Sequence, residues 1–220
     1  MFKHLVLCPL ILLSFFPLAA QQKQIVTPNI PQLLKDHKIT AENRQASIVF
    51  TQDQKIALHV DHKMGAGAAW FNNISFSTGA IEFDVKGNNT PQGSFVGIAF
   101  HKQGNAYDAI YFRPFNFHAA TSLSRSHAVQ YISYPVYDWS NLRKNYPNKY
   151  EHKIDPAPDA ESWFHAKVVV SDSIITVYVN NHKDPSLTVK KLNNRTDGIV
   201  GFWVGNGSDG DFSNLKITRN

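Results

Sequence analysis

Between Tyr107 and Trp139 the chain gathers side chains suited to a sugar ring, which presents apolar C–H faces and a rim of hydroxyls. Tyr107, Tyr111, Tyr131 and Trp139 supply rings that stack on such faces, and Arg113 and Arg125 supply forked donors. Asn116, Gln130 and His127 add amide and imidazole groups that read hydroxyl patterns. Spacing brings some of them together. Tyr107, Tyr111 and Arg113 fall on one face of an alternating run, and the small Ala109 between them leaves space above a sheet. These nine residues are the predicted carbohydrate-binding surface. The structural competitor is that Arg113 and Arg125 pair with Asp108 or Glu151 while the aromatics pack beneath a long loop, tyrosine being a good strand former in any case.

Other chemistries find less support. Histidines 101, 118, 127 and 165 invite a metal, but the sequence has no His-Glu-x-x-His run and no cysteine near them, so zinc chemistry is disfavoured. A nucleophilic serine on a Gly-x-Ser-x-Gly turn is likewise absent. Asp209 and Asp211, with carbonyls of the glycine-rich loop before them, form a candidate site for a structural calcium. The same residues also read as a flexible turn followed by a strand-starting aspartate. No other cofactor is expected.

Strands must carry this chemistry. Residues 94–101 and 107–113 predict a hairpin across Lys102-Gln103-Gly104-Asn105, with Val96, Ile98, Phe100, Ile110 and Phe112 directed to one apolar face. Residues 80–86 give the cleanest half-buried strand, with Ile81, Phe83 and Val85 inward and Glu82, Asp84 and Lys86 toward solvent. Strands are also expected over 47–51, 55–60, 68–71, 127–134, 163–170, 174–179, 187–191, 198–204 and 211–217. Residues 137–158 form the longest irregular stretch, and their aromatic content argues against disorder. About a dozen strands without a convincing helix predict an all-β domain, two antiparallel sheets packed as a jelly-roll sandwich.

Residues 1–20 have the layout of a secretory signal peptide: Lys3, an apolar run from Leu5 to Phe16, then Pro17-Leu18-Ala19-Ala20. The expected product is secreted or periplasmic, with no later segment apolar enough to span a membrane. Cys8, the single cysteine, lies in that segment, so the exported domain must be stable without disulfides. About 200 remaining residues suit one sandwich domain over 44–220, preceded by a polar leader over 21–43 laid on its surface, with a short helix near Gln32 to His37. The formal charge of +5 becomes +4 when Lys3 leaves, and the remaining basic residues are scattered. Nucleic-acid binding is therefore not expected.

The runs GAIEFDVKG (79–87), SFVGIAFH (94–101), YDAIYFRPFNF (107–117), WFHAKVVV (163–170), ITVYVNN (175–181) and GIVGFWVGNGSDGDFSNLKI (198–217) resemble the concanavalin A-like lectin/glucanase superfamily. The closing Gly-Asp-Phe-x-Asn-Leu is similar to the terminal strands of laminin-G-like and 3-keto-disaccharide hydrolase-type domains. The resemblance implies the jelly-roll fold and several functions on one scaffold. A laminarinase-like glucanase would carry Glu-x-Asp-x-x-Glu or Glu-x-Asp-x-Glu on one strand, and after Glu82 and Asp84 the second glutamate is missing. Carbohydrate binding is thus the leading expectation. A 3-keto-glycoside-active enzyme using Asp108 or His127 as acid or base is the alternative, and a laminin-G-like protein-interaction domain is a third.

Overall fold

The computed structural model describes residues 23–220, and the segment expected to be a signal peptide, Cys8 included, lies outside them. In chain order the strands are β1 (Gln24–Val26), β2 (Ile39–Glu42), β3 (Ala46–Phe50), β4 (Ile56–Lys63), β5 (Gly67–Ser75), β6 (Gly79–Lys86), β7 (Val96–Gln103) and β8 (Ala106–Phe112). They continue as β9 (Val129–Tyr134), β10 (Glu151–His152), β11 (Phe164–Val170), β12 (Ile174–Val179), β13 (Leu187–Lys190), β14 (Ile199–Val204) and β15 (Ser208–Arg219). Three short helices, α1 (Ile30–Lys35), α2 (Ser122–Arg125) and α3 (Trp139–Asn145), sit in the connections. None is long and apolar enough to cross a membrane.

The strands form two antiparallel sheets, as the alternating patterns predict. One runs β13-β12-β11-β6-β15-β4-β3 with β1 also on β15, and the other runs β10-β9-β8-β7-β14-β5-β2. Period two decides what faces inward. In β6, Ile81, Phe83 and Val85 are fully buried while Glu82, Asp84 and Lys86 alternate outward. Phe202 of β14 stacks on Phe212 of β15 with centroids 4.5 Å apart, and Phe112 of β8 meets Phe164 of β11 edge-on at 5.0 Å. These contacts stitch the sheets together. Val96, Ile98, Phe100, Ile110, Phe112, Val168, Val170 and Val200 are all buried, so the predicted register of the central hairpin holds.

Two regions differ from expectation. The leader is woven into both sheets instead of lying over them: β1 pairs with β15, and β2 pairs with β5. Its strands are only three and four residues long, too short for periodicity to stand out. The stretch 137–158 is also less irregular than it reads. Asp138 caps α3, its Oδ1 accepting from the Asn141 amide at 2.7 Å, and β10 then pairs with β9 through Glu151 and Gln130. Thr121 caps α2 in the same way, accepting from the Ser124 amide at 3.0 Å.

Candidate functional site

Because β8 alternates, Asp108, Ile110 and Phe112 turn into the core while Tyr107, Ala109 and Tyr111 turn to the outer face of the seven-stranded sheet. On that face a row of small residues runs across the central strands. Gly97 of β7 stands opposite Tyr111 on one side and Trp203 on the other, and Ala99 stands opposite Ala109 and Gly201. With no side chain at 97, the Tyr111 and Trp203 rings lean over β7 until their centroids are 4.9 Å apart. A Cβ at Gly97 would fall 2.1 Å from the Ile110 carbonyl oxygen, so only glycine fits.

The rings of this face line a cavity of about 480 Å³, within the range of small-ligand sites. Phe95, Tyr107, Tyr111, Tyr134, Trp139 and Trp203 give it aromatic walls, and Gln92, Arg113, Asp138, Arg143 and Asn206 add polar groups. The walls are braced. Tyr107 stacks on Tyr134 at 5.1 Å, and the Trp203 indole donates to the Tyr107 hydroxyl at 3.2 Å. Burial pushes the Tyr107 phenol up to about 12, so it stays protonated. Trp139, at the start of α3, is 52 % exposed and stands at the cavity mouth.

A charged cluster supports the inner end. The Arg113 guanidinium, buried by its neighbours, donates through Nη1 to the His127 carbonyl at 2.8 Å and through Nη2 to the Tyr111 hydroxyl at 2.8 Å and to Gln130 Oε1. The Tyr111 hydroxyl in turn donates to Gln130 Oε1 at 2.8 Å. Glu151 is 4 % exposed and takes both arginines: Arg143 donates to it bidentately at 3.1 and 2.7 Å, and Arg113 Nη1 is 3.7 Å away. Burial pushes the Glu151 carboxyl up, but the hydrogen bonds and charge of Arg143, with His127 and Arg113, outweigh it and hold the group below the usual range. His127 Nδ1 is 2.8 Å from Glu151 Oε2 yet out of line for a hydrogen bond, and burial lowers the imidazole pKa.

Of the nine predicted surface residues, Tyr107, Tyr111, Arg113 and Trp139 line the cavity. Gln130 lies beneath it, holding Tyr111 and Arg113. The other four sit elsewhere. Tyr131 is fully buried on the core face, because Gln130 and Tyr131 are adjacent and alternation sends only one of them outward. Arg125 holds its own loop by donating to the Ala119 and Ala120 carbonyls, and Asn116 reaches the His127 carbonyl at 3.4 Å. His127 faces Glu151 and does not line the cavity. Asp108 is fully buried between the sheets. It accepts from Tyr131 at 2.7 Å and from Asn193 at 2.5 Å, and it contacts Arg195 at 3.1 Å and His101 at 3.3 Å. Arg113 therefore neighbours Glu151, one of the two expected partners, while Asp108 serves Arg195.

Sequence reasoning missed Tyr134, Trp203 and Arg143, and it read Glu151 only as an ion-pair partner of Arg113 or Arg125. Tyr134 shares the outward alternation of Gln130 and Ile132, so strict period two identifies it; Arg143 depends on a helix the loop composition concealed. Of the candidate calcium ligands, Asp211 lies 2.8 Å from His59 and Asp209 accepts from Asn88 at 3.2 Å. Among the described residues, no group of three or more His, Cys, Asp or Glu side chains converges as a metal site would. Glu82 and Asp84 face outward on the other sheet, engaged by Lys216, His165 and Lys55.

No protein-family model matches the chain, and no curated protein matches it in sequence. Solved structures share its fold. It is similar to the carbohydrate-binding module CBM66 from Bacillus subtilis (TM-score 0.55, 11 % identity, 80 % of this chain and 96 % of that one). It is also similar to a native glycosidic hydrolase (TM-score 0.55, 13 % identity, 90 % and 95 % covered). A third likeness is to the exoplasmic/lumenal domain of VIP36 in its Ca2+/Man3GlcNAc-bound form (TM-score 0.52, 12 % identity, 81 % and 82 % covered). The chain thus has the concanavalin A-like jelly-roll fold.

Proposed function

We propose that this jelly roll is an exported glycan-binding domain whose ligand occupies the cavity on the outer face of the seven-stranded sheet. The observation that carries the reading is the cavity itself: about 480 Å³, walled by six aromatic rings and edged by Gln92, Asn206 and arginine donors. Ring faces take the C–H surface of a sugar, and fixed donors take its hydroxyls. The likeness to a carbohydrate-binding module and to a lumenal domain bound to Man3GlcNAc supports it at the level of fold. Export rests on the predicted signal segment and is tested by the N-terminus of protein recovered outside the cytoplasm.

Binding suits the geometry better than acid–base hydrolysis. Two-carboxylate cleavage needs a pair flanking the scissile bond. Asp138 is the single carboxylate among the described lining residues, and its Oδ1 caps α3. Asp108 is inside the core and His127 lies behind Arg113, so neither expected acid or base faces the cavity. Glycan-array screening followed by calorimetry of the hits, with Trp139→Ala as the probe variant, tests the reading. Trp139 is half exposed, so the variant should keep its melting temperature while affinity falls at least about tenfold. Equal affinity of parent and variant for every hit, or turnover of an array glycan, would overturn it.

A further inference from the structure

The hydrogen-bonding groups around the cavity are unequally committed. Several acceptors in and behind the lining are taken by the protein: Gln130 Oε1 receives Tyr111 and Arg113, both Glu151 oxygens receive Arg143, and Asn206 Oδ1 receives the Gly65 amide at 2.7 Å, while among the described residues Gln92 Oε1 and Asp138 Oδ2 receive no protein donor. Donors remain. Arg143 uses Nε and Nη2 on Glu151, and among the described residues its Nη1 has no protein partner although the side chain lines the cavity. The Tyr134 hydroxyl and the Asn206 side-chain amide nitrogen are likewise uncommitted. Neutral sugar hydroxyls donate as readily as they accept, whereas the free donor hydrogens of this lining, on Arg143, Asn206, Gln92, Tyr107 and Tyr134, outnumber its free acceptors.

We propose that the saccharide bound here is acidic, carrying a carboxylate or sulfate that meets the uncommitted Nη1 side of the Arg143 guanidinium, an inference that rests on the cavity being a sugar site. An anion brings acceptors without donors, matching a donor-rich lining, and guanidinium is the side chain best shaped for it. Arg113 and Arg143 stand against the wall rings, their Cζ atoms 4.9 Å from the Tyr111 centroid and 5.4 Å from that of Trp139, so a sugar stacked there has cationic groups beside it. Of the acidic groups nearby, Glu151 is closed off beneath both arginines, and Asp138 turns one oxygen to the α3 backbone. His127, behind Arg113, is held toward its neutral form by burial. A ligand cation would meet two guanidinium groups. The formal charge, +4 once Lys3 leaves, favours approach of an anion over the whole surface.

The test is an array of uronic-acid oligosaccharides printed beside their carboxyl-reduced counterparts, and of sulfated oligosaccharides beside their desulfated forms. The expected result is at least about tenfold tighter binding of the acidic member of one pair series, weakening as salt is raised. The responding series identifies carboxylate or sulfate as the source. Arg143→Gln should erase the discrimination, and Arg143→Lys should restore part of it by returning the charge. Equal or tighter binding of the reduced or desulfated members overturns the acidic inference while leaving a sugar site intact. Failure of every printed saccharide to bind overturns both. Should Arg143→Gln not fold, the paired comparison on the unsubstituted protein decides alone.

Discussion

Replacing Glu151 by alanine should destabilise the protein far more than loss of one surface ion pair. The carboxylate is 4 % exposed and is the shared counter-charge of two arginines. Arg143, whose side chain is 38 % exposed, can turn to water when its two hydrogen bonds are lost. Arg113, whose side chain is 5 % exposed, cannot. Its remaining partners are neutral, namely the Tyr111 hydroxyl, Gln130 Oε1 and the His127 carbonyl. Guanidinium does not deprotonate in a protein, so an uncompensated buried charge is left behind, at a cost of about 3–5 kcal/mol. Taking a urea m-value of about 2 kcal/mol/M, the unfolding midpoint should fall by about 1.5–2.5 M with m unchanged. Arg143→Ala should move it less than half as far, because Arg113 and His127 still adjoin Glu151. A Glu151→Ala midpoint within about 0.3 M of the parent would refute the reasoning, since it would mean that water or another group already compensates Arg113.

Gly97→Ala should cost about 3 kcal/mol, the upper end of overpacking, because its Cβ meets the backbone of β8 at 2.1 Å; an unfolding midpoint like the parent's would show that β7 can shift away from β8. The Asp84–His165 pair, 2.9 Å apart, should shape the pH dependence of the melting temperature. Hydrogen bonding to Asp84 raises the His165 pKa against the effect of burial, so its stabilisation is complete below about 6.5 and is lost as pH rises through the higher folded value. Burial pushes Asp84 up, but hydrogen bonds from His165, Asn214 and Lys55 bring it to about 2; its stabilisation is present above about 3.9 and is lost as pH falls toward 2. His165→Gln should therefore flatten the alkaline limb, and a variant with the parent's full pH profile would remove the pair from the account.

The sandwich was legible because its central strands alternate cleanly: Ile81, Phe83 and Val85, or Ile110 and Phe112, point to one side by period two whatever surrounds them. The candidate site was legible only in part, and for physical reasons. Tyr107 and Tyr111 lie on one strand and Arg113 directly follows it, so local spacing is enough to group them. Trp203 reaches Tyr111 across Gly97 from a strand more than ninety residues later, and no local pattern encodes that meeting. Glu151 and Arg143 belong to a stretch whose caps and two-residue strand are weaker signals than its prolines and polar residues. Tyr131 was misplaced by weighing side-chain chemistry ahead of alternation. Asp108 shows the same conflict resolved the other way, a carboxylate on a core-facing position that the fold accommodates with donors from Tyr131, Asn193 and Arg195.

The pairing of β1 with β15 has a mechanical consequence. Gln24 lies opposite Arg219 and Val26 opposite Ile217, so the two ends of the described chain leave the sheet side by side in an antiparallel pair. A load drawing residues 24 and 219 apart acts across this ribbon and not along it, and its inter-strand hydrogen bonds open one after another like a zipper, each bearing the force alone. Three residue pairs would thus part at low force, and the loosened leader would then pull on α1 and on β2, whose four pairs with β5 continue the seven-stranded sheet. Beyond β5 come β14 and the Trp203 wall of the cavity. Tension applied through the termini consequently reaches the ligand-bearing sheet from its β2 edge, while α3 and β10 stand at the opposite edge and are the last to feel it.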